Sequence, residues 1–265
     1  IILDLRSNTG GLLPQAVDVA SLFVKKGVIV SLKDSSGKIK HLRSEKATPV
    51  WNGPLVILIN KESASAAEIV AQTLQDFGRA IIVGDDHTWG KGSYQLFTLG
   101  MNHSNKVNQQ GEFKVTQGLY YTVSGKSPQL NGAKSDIVVP GELQYADIGE
   151  RHAKFPLAGD QIPSNFVDNY EDLSMSQKKK NAKKSLDLQQ QKLNTYTPFV
   201  QILKSNSDSR IKANKNYQIF LSEIQKDFNK QNTQANFGLN DLQFEESQNI
   251  MKDLVMMLEK YSKKK

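Results

Sequence analysis

The chain has 265 residues, 38% of them hydrophobic and 23% charged, with a formal net charge of +7 and no cysteine. This balance suits a globular chain with one large core or two modest ones and excludes collagenous, disulfide-stapled and disordered classes. Without cysteine there is no thiolate nucleophile, redox pair or cysteine-ligated zinc, and His41, His87, His103 and His152 offer no i,i+4 metal pair, so no metal or cofactor is expected.

The chain opens without Met inside the strand pattern Ile1-Ile2-Leu3-Asp4-Leu5, so an upstream segment is expected. Arg6 to Gly11 reads as a turn, and Pro14 to Val24 as a helix with Pro in its first turn. After Gly27, Val28 to Leu32 and Lys38 to Leu42 read as a hairpin around Asp34-Ser35-Ser36-Gly37. Leu55 to Ile59 is a continuous apolar run, far short of the roughly 18 residues of a membrane span and typical of a strand buried on both faces. A helix from about Ala66 to Phe77 and a strand from Ala80 to Val83 follow, and the recurring strand, loop, helix, strand order predicts a covered, mostly parallel sheet. Further strands are expected near 93–98, 114–123 and 136–139.

From about residue 144 the texture changes to Gln, Lys and Asn with apolar residues at helical spacing, as in Ile219, Phe220, Ile224 and Phe228. Phe244, Ile250, Met251, Leu254, Val255, Met257, Leu258 and Tyr261 line one face of a final helix, a stripe that reads as packing. The positive charge is spread along the chain. Its one cluster, Lys178, Lys179, Lys180, Lys183 and Lys184, lacks interleaved aromatics and reads as a solvated helix face or linker, so no nucleic-acid partner is expected.

Two loops carry the unusual residue choices. Asn60 to Ile69 joins the buried strand to a helix, the place where α/β proteins put their sites, and holds Ser63 and Ser65. Ser65 to Glu68 spells S-x-x-E, which a capping box explains, yet the same helix start would offer the Ala66 N–H and the positive helix end to an oxyanion. The second loop, Gly84 to Gln95, holds Lys91 between Gly90 and Gly92, and its glycine spacing does not fit a phosphate loop. A lysine acts as a base only when neutral. From about 10.4 that requires a fall of roughly three units, about 4 kcal/mol, which burial usually supplies. Trp89 and the neighbouring strands could make that setting, and Gln95 could hydrogen-bond the amine.

Asp4-Leu5-Arg6 with Asn8 and Gly10-Gly11, Ser63-Ala64-Ser65-Ala66 with Glu68-Ile69, Gln75 to Ala80, and Gly90-Lys91-Gly92 with Gln95 together resemble the carboxy-terminal processing, or tail-specific, proteases. The resemblance covers about residues 1–143 and closes on Ser135 to Pro140, similar to the family's TPDI ending. The long helical tail is most similar to the large periplasmic type of Gram-negative bacteria. The resemblance implies an α/β, crotonase-like (ClpP/crotonase type) β-β-α core over 1–143 with an appended helical region over 144–265. It further implies a serine endopeptidase, with Ser65 as nucleophile, Lys91 as general base and Gln95 orienting the lysine. The N–H groups of Ala66 and of Gly10 or Gly11 would form the oxyanion hole. Protein substrates with apolar C-termini, a tail-reading PDZ domain lying upstream of this chain, a periplasmic location and possible self-association through the helical region are also implied.

Ser63 is the weaker nucleophile candidate, since Ser65 fills the second S-A-S place. The stretch Asp85 to Trp89 is one residue longer than usual before G-K-G; Ala67 stands where serine is common, and Thr9 where Gly or Pro is. On a continuous helix Asp76 would lie roughly 16 Å from Ser65, at about 1.5 Å per residue, and so reads as structural. His87 as base of a Ser-His pair lacks a carboxylate partner apart from its neighbours Asp85 and Asp86. The rival classes are a non-catalytic protein-binding module on the same core, which gives no reason for Ser65 and Lys91 to be kept together, and an acyl-CoA enzyme, which would need neither.

Overall fold

The structure, a computed structural model, describes residues 1–97, 114–182, 189–230 and 241–263. Strands β1 (Ile2–Asp4), β4 (Val56–Ile59), β5 (Ile81–Gly84) and β8 (Ile137–Val138) form a parallel sheet in the order β1-β4-β5-β8. Strands β2 (Gly27–Asp34), β3 (Ile39–Ser44), β6 (Ser93–Phe97) and β7 (Lys114–Thr122) form a second, antiparallel sheet in the order β3-β2-β7-β6. The first sheet is the covered parallel one that the strand, loop, helix, strand order predicts, and the second is built on the predicted hairpin. A four-residue turn between β2 and β3 can only return the chain antiparallel, and β7 then pairs with the free edge of β2.

Helices α1 (Leu13–Ala20) and α2 (Ala66–Asp76) pack between the two sheets. Side chains alternate across β4: Leu55, Ile57 and Ile59 face these helices, whereas Val56 and Leu58 face the other side. That is why the run is apolar without a break. Helix α1 stops four residues before the expected Val24. Its last turn tightens into i−3 bonds from Leu22 and Phe23, and the Ser21 hydroxyl turns back to the Val17 carbonyl.

After the short α3 (Met175–Ala182) come α4 (Thr197–Ala213), α5 (Lys215–Lys230) and α6 (Leu242–Ser262). They cover the other face of the parallel sheet. Val56, Leu58, Ile81, Val83, Ile137 and Val139 share one core with Phe199, Leu203, Ile211, Tyr217, Ile250 and Leu254. Of the basic cluster, Lys178 and Lys179 lie on α3, while Lys183 and Lys184 fall outside the described residues. Among the described residues no helix is long and apolar enough to cross a membrane.

Candidate active site

The connection from β4 into α2 places Ser65 just before the first helical residue, with φ 55° and ψ −114°. A non-glycine residue in that region is strained, and such conformations persist only where neighbours hold them. The Ser65 N–H donates to Glu68 Oε2 at 2.7 Å, and the Ser65 carbonyl accepts from the Tyr120 hydroxyl at 3.0 Å. The capping reading of S-x-x-E therefore holds for the carboxylate side. Glu68 does more, however.

Glu68 is wholly buried, and its carboxylate reaches across to the loop that carries Lys91. Oε2 also accepts from the Lys91 N–H at 2.9 Å, and Oε1 accepts from the Gly90 N–H at 2.7 Å and the Thr88 hydroxyl at 2.5 Å. Burial pushes this carboxyl up to about 7, against the pull of those donors. One carboxylate oxygen thus holds the backbone nitrogens of both Ser65 and Lys91. On the carbonyl side, the Tyr120 hydroxyl contacts Ser65 O and Lys91 O alike. The two sequence-predicted residues, 26 positions apart, are brought to the same place by their main chains.

The glycine turn closes a third side. Gly10 has φ +97°, and a Cβ built there would stand 2.8 Å from Ala66 N and from Ser65 Cβ. Only glycine fits there. The Gly10 N–H donates to Asn8 Oδ1 at 3.0 Å, and the Ala64 N–H donates to the Asn8 carbonyl at 2.9 Å, which laces the turn to the serine loop. Ala66, as the first helical residue, has no intrahelical acceptor for its N–H. Lys91 and Ser65 are half-buried. The lysine is flanked by the close fit of Gly92 against Ser127 and Gln129, whose Oε1 accepts the Gly92 N–H at 2.8 Å. Gln95 lies at the bulge of β6, where its Nε2 donates to Ser93 Oγ at 3.0 Å.

The other candidates separate from this group. The Ser63 hydroxyl is fully buried, donating to Leu5 O at 2.7 Å and accepting from Asn60 N at 3.0 Å, so it is committed to main chain. Asp76, at the far end of the continuous α2, accepts from Thr122 Oγ1 at 2.5 Å and Ser124 N at 3.3 Å. The His87 ring shares a hydrogen through Nδ1 with the Thr88 carbonyl at 2.7 Å, and burial lowers its pKa. Asp85, which sequence reasoning left without a role of its own, is fully buried. It accepts from Lys61 N, Gly141 N and Gln243 Nε2 at 3.1, 3.0 and 3.2 Å and so joins the end of β5 to helix α6. A cleft of about 1020 Å³ opens nearby between Arg6, Glu62, Asp241 and the start of α5, but neither Ser65 nor Lys91 lines it. Among the described residues no group of three metal-ligating side chains occurs.

Comparison with known proteins gives this arrangement a context. The chain is 36% identical to the tail-specific protease of Haemophilus influenzae over 64% of its own length and 26% of that protein's. It is 44% identical to the carboxy-terminal-processing protease of Bartonella bacilliformis over 54% of its own length and 31% of that protein's. The solved structure of a photosystem II D1 C-terminal processing protease aligns at a TM-score of 0.44 and 32% identity, over 52% of this chain and 34% of the other. The chain therefore spans about a quarter to a third of the length of these relatives. The profile of peptidase family S41 matches residues 1–139, from β1 through β8 and thus through both braced loops and the glycine turn, and the chain belongs to that family.

Proposed function

We propose that residues 1–143 are the crotonase-like catalytic core of a serine endopeptidase that cleaves proteins selected by their C-terminal tails, with 144–265 a helical region built onto it. The observation that carries this reading is the double brace, in which Glu68 Oε2 and the Tyr120 hydroxyl each contact the main chains of Ser65 and Lys91. The named relatives are tail-specific and carboxy-terminal-processing proteases, which supports the same substrate class. In this reading the Lys91 amine takes the Ser65 hydroxyl proton as Oγ attacks the scissile carbonyl, and returns it to the leaving amine. Water then repeats the cycle on the acyl-serine. The Ala66 N–H stabilises the oxyanion. Because the Gly10 N–H is directed to Asn8, the second donor falls to Gly11. Gln95 Oε1 is the atom that would steady the lysine, its Nε2 being held by Ser93. Protein chains with apolar C-termini are the expected substrates, and the periplasm the expected location.

The test is cleavage of an unfolded protein with an apolar C-terminus by the full-length protein carrying this chain. Ser65→Ala and Lys91→Ala are each expected to lower kcat by about a thousandfold or more, while His87→Ala keeps cutting. Cleavage that survives Lys91→Ala overturns the dyad, and a wild type that does not cut favours a binding module on the same core.

A further inference from the structure

Tyr120 lies on β7, in the sheet opposite the one that supports Ser65, with its side chain completely buried in the core between the sheets. Its ring is therefore fixed by packing. Its hydroxyl emerges between two main-chain carbonyls, those of Ser65 and Lys91, which can only accept. Burial keeps the phenol protonated, since it raises the group well above the usual tyrosine range. One proton consequently serves two acceptors, one in each loop. Glu68 holds the same two residues from their nitrogens, so the peptide units on both sides of the strained Ser65 are fixed, one by Glu68 and one by Tyr120. A strained nucleophile held on one side only is free to relax about the other.

We infer that Tyr120 is a positioning residue whose hydroxyl spans the Ser65 and Lys91 carbonyls and holds the two loops in register for proton transfer. This inference rests on the Ser-Lys reading above. It adds a requirement that reading lacks, namely that the far sheet, through a single hydroxyl, sets the geometry of the near one. The neighbouring Tyr121 provides an internal comparison, because its hydroxyl bonds the partly exposed Asp160 and touches neither loop.

The experiment compares wild type, Ser65→Ala, Tyr120→Phe and Tyr121→Phe in the full-length protein, reading steady-state cleavage, the labelling rate of the serine by a fluorophosphonate, and the melting temperature. Tyr120→Phe keeps the ring and removes only the hydroxyl. It is expected to lower kcat and the labelling rate together by about tenfold or more, with KM within about twofold, because misplacement of reacting groups acts on the chemical step. Tyr121→Phe is expected to keep wild-type kcat, which separates a positioning effect from the general loss of a hydroxyl. Wild-type kcat and labelling in Tyr120→Phe, alongside an inert Ser65→Ala, overturn the inference and leave the function standing. Cleavage by Ser65→Ala, or none by wild type, overturns both. Should Tyr120→Phe be unfolded at the assay temperature, 3-fluorotyrosine at position 120 keeps ring and hydroxyl and makes the phenol more acidic. A brace acting through its proton then changes kcat by about twofold or more, and an unchanged kcat overturns it.

Discussion

Glu68 gathers four donors onto one buried carboxylate, and replacing its charge by an amide puts that arrangement under direct test. Whichever way the amide of Glu68→Gln turns, its NH2 faces N–H or O–H donors, either those of Ser65 and Lys91 or those of Gly90 and Thr88. Unsatisfied buried donors cost about 1–3 kcal/mol each. We expect Glu68→Gln to lower kcat/KM by at least about tenfold and to reduce stability by a few kcal/mol, measured by cleavage and by urea unfolding. The pH dependence runs in opposite directions for the two properties. Burial raises this carboxyl from 4.5 to about 7. The folded state thus holds the proton more tightly than the unfolded one, and the stability Glu68 contributes is complete below pH 4.5 and lost as pH rises through about 7. The brace, in contrast, needs the carboxylate. Activity should therefore rise with pH on a limb centred near 7 as this contribution to stability falls, and Glu68→Gln should flatten the change in melting temperature between pH 4.5 and 7. An unaltered slope in that window would show that Glu68 does not titrate there.

Helix α2 makes the same point at the scale of an element. Its apolar residues were readable as a core face, and Ser65 and Glu68 as its cap, because both are local patterns in sequence. The strands β4 and β5 were equally plain, since burial on two faces leaves no polar alternation. What was not legible was where the polar side of α2 goes. Glu68 bonds residues 20 to 23 positions away, and Asp76 meets Thr122 and Ser124 on β7 and the turn after it, contacts that no spacing along the helix announces. The hairpin of β2 and β3 is legible from its turn, whereas the pairing of β7 with the other edge of β2 is not, because tertiary packing chooses that edge. Asp76 lies a helix length away from Ser65, as its spacing along α2 requires, and fastens the other end of the helix. Replacing it by alanine leaves the Thr122 hydroxyl and the Ser124 N–H without their acceptor. Asp76→Ala should cost about 1–3 kcal/mol in denaturant midpoint converted through the m-value. An unchanged midpoint would mean that α2 is not fastened to β7 there.

On the scale of the whole molecule, the shift in composition at residue 144 marks a helical region, and among the described residues that region is what covers this face of the parallel sheet. Val56, Leu58, Ile81 and Val83 pack against Leu203, Ile250 and Leu254, all of them fully or almost fully buried. Polar contacts cross the same boundary. The Arg6 guanidinium joins Asp4 to Asp241 at the start of α6, Gln243 donates to Asp85 and Val139, and Tyr217 donates to Pro140. Two of these reach the segments around Ser65 and Lys91, Arg6 at the start of the glycine turn and Asp85 within the loop that carries Lys91. A core shared in this way should unfold as one unit. Leu254→Ala, on α6, removes a wholly buried side chain and is expected to cost about 3 kcal/mol. That loss should fall on the parallel sheet as fully as on the helices. Calorimetry would display it as one transition moved to lower temperature, with protection of β4 and β5 amides from hydrogen exchange falling by the same free energy. Two transitions, of which only one responds to Leu254→Ala, would instead mean that the helical region folds apart from the sheet it covers, and that the contacts of Arg6 and Asp85 with α6 transmit nothing to the loops beside them.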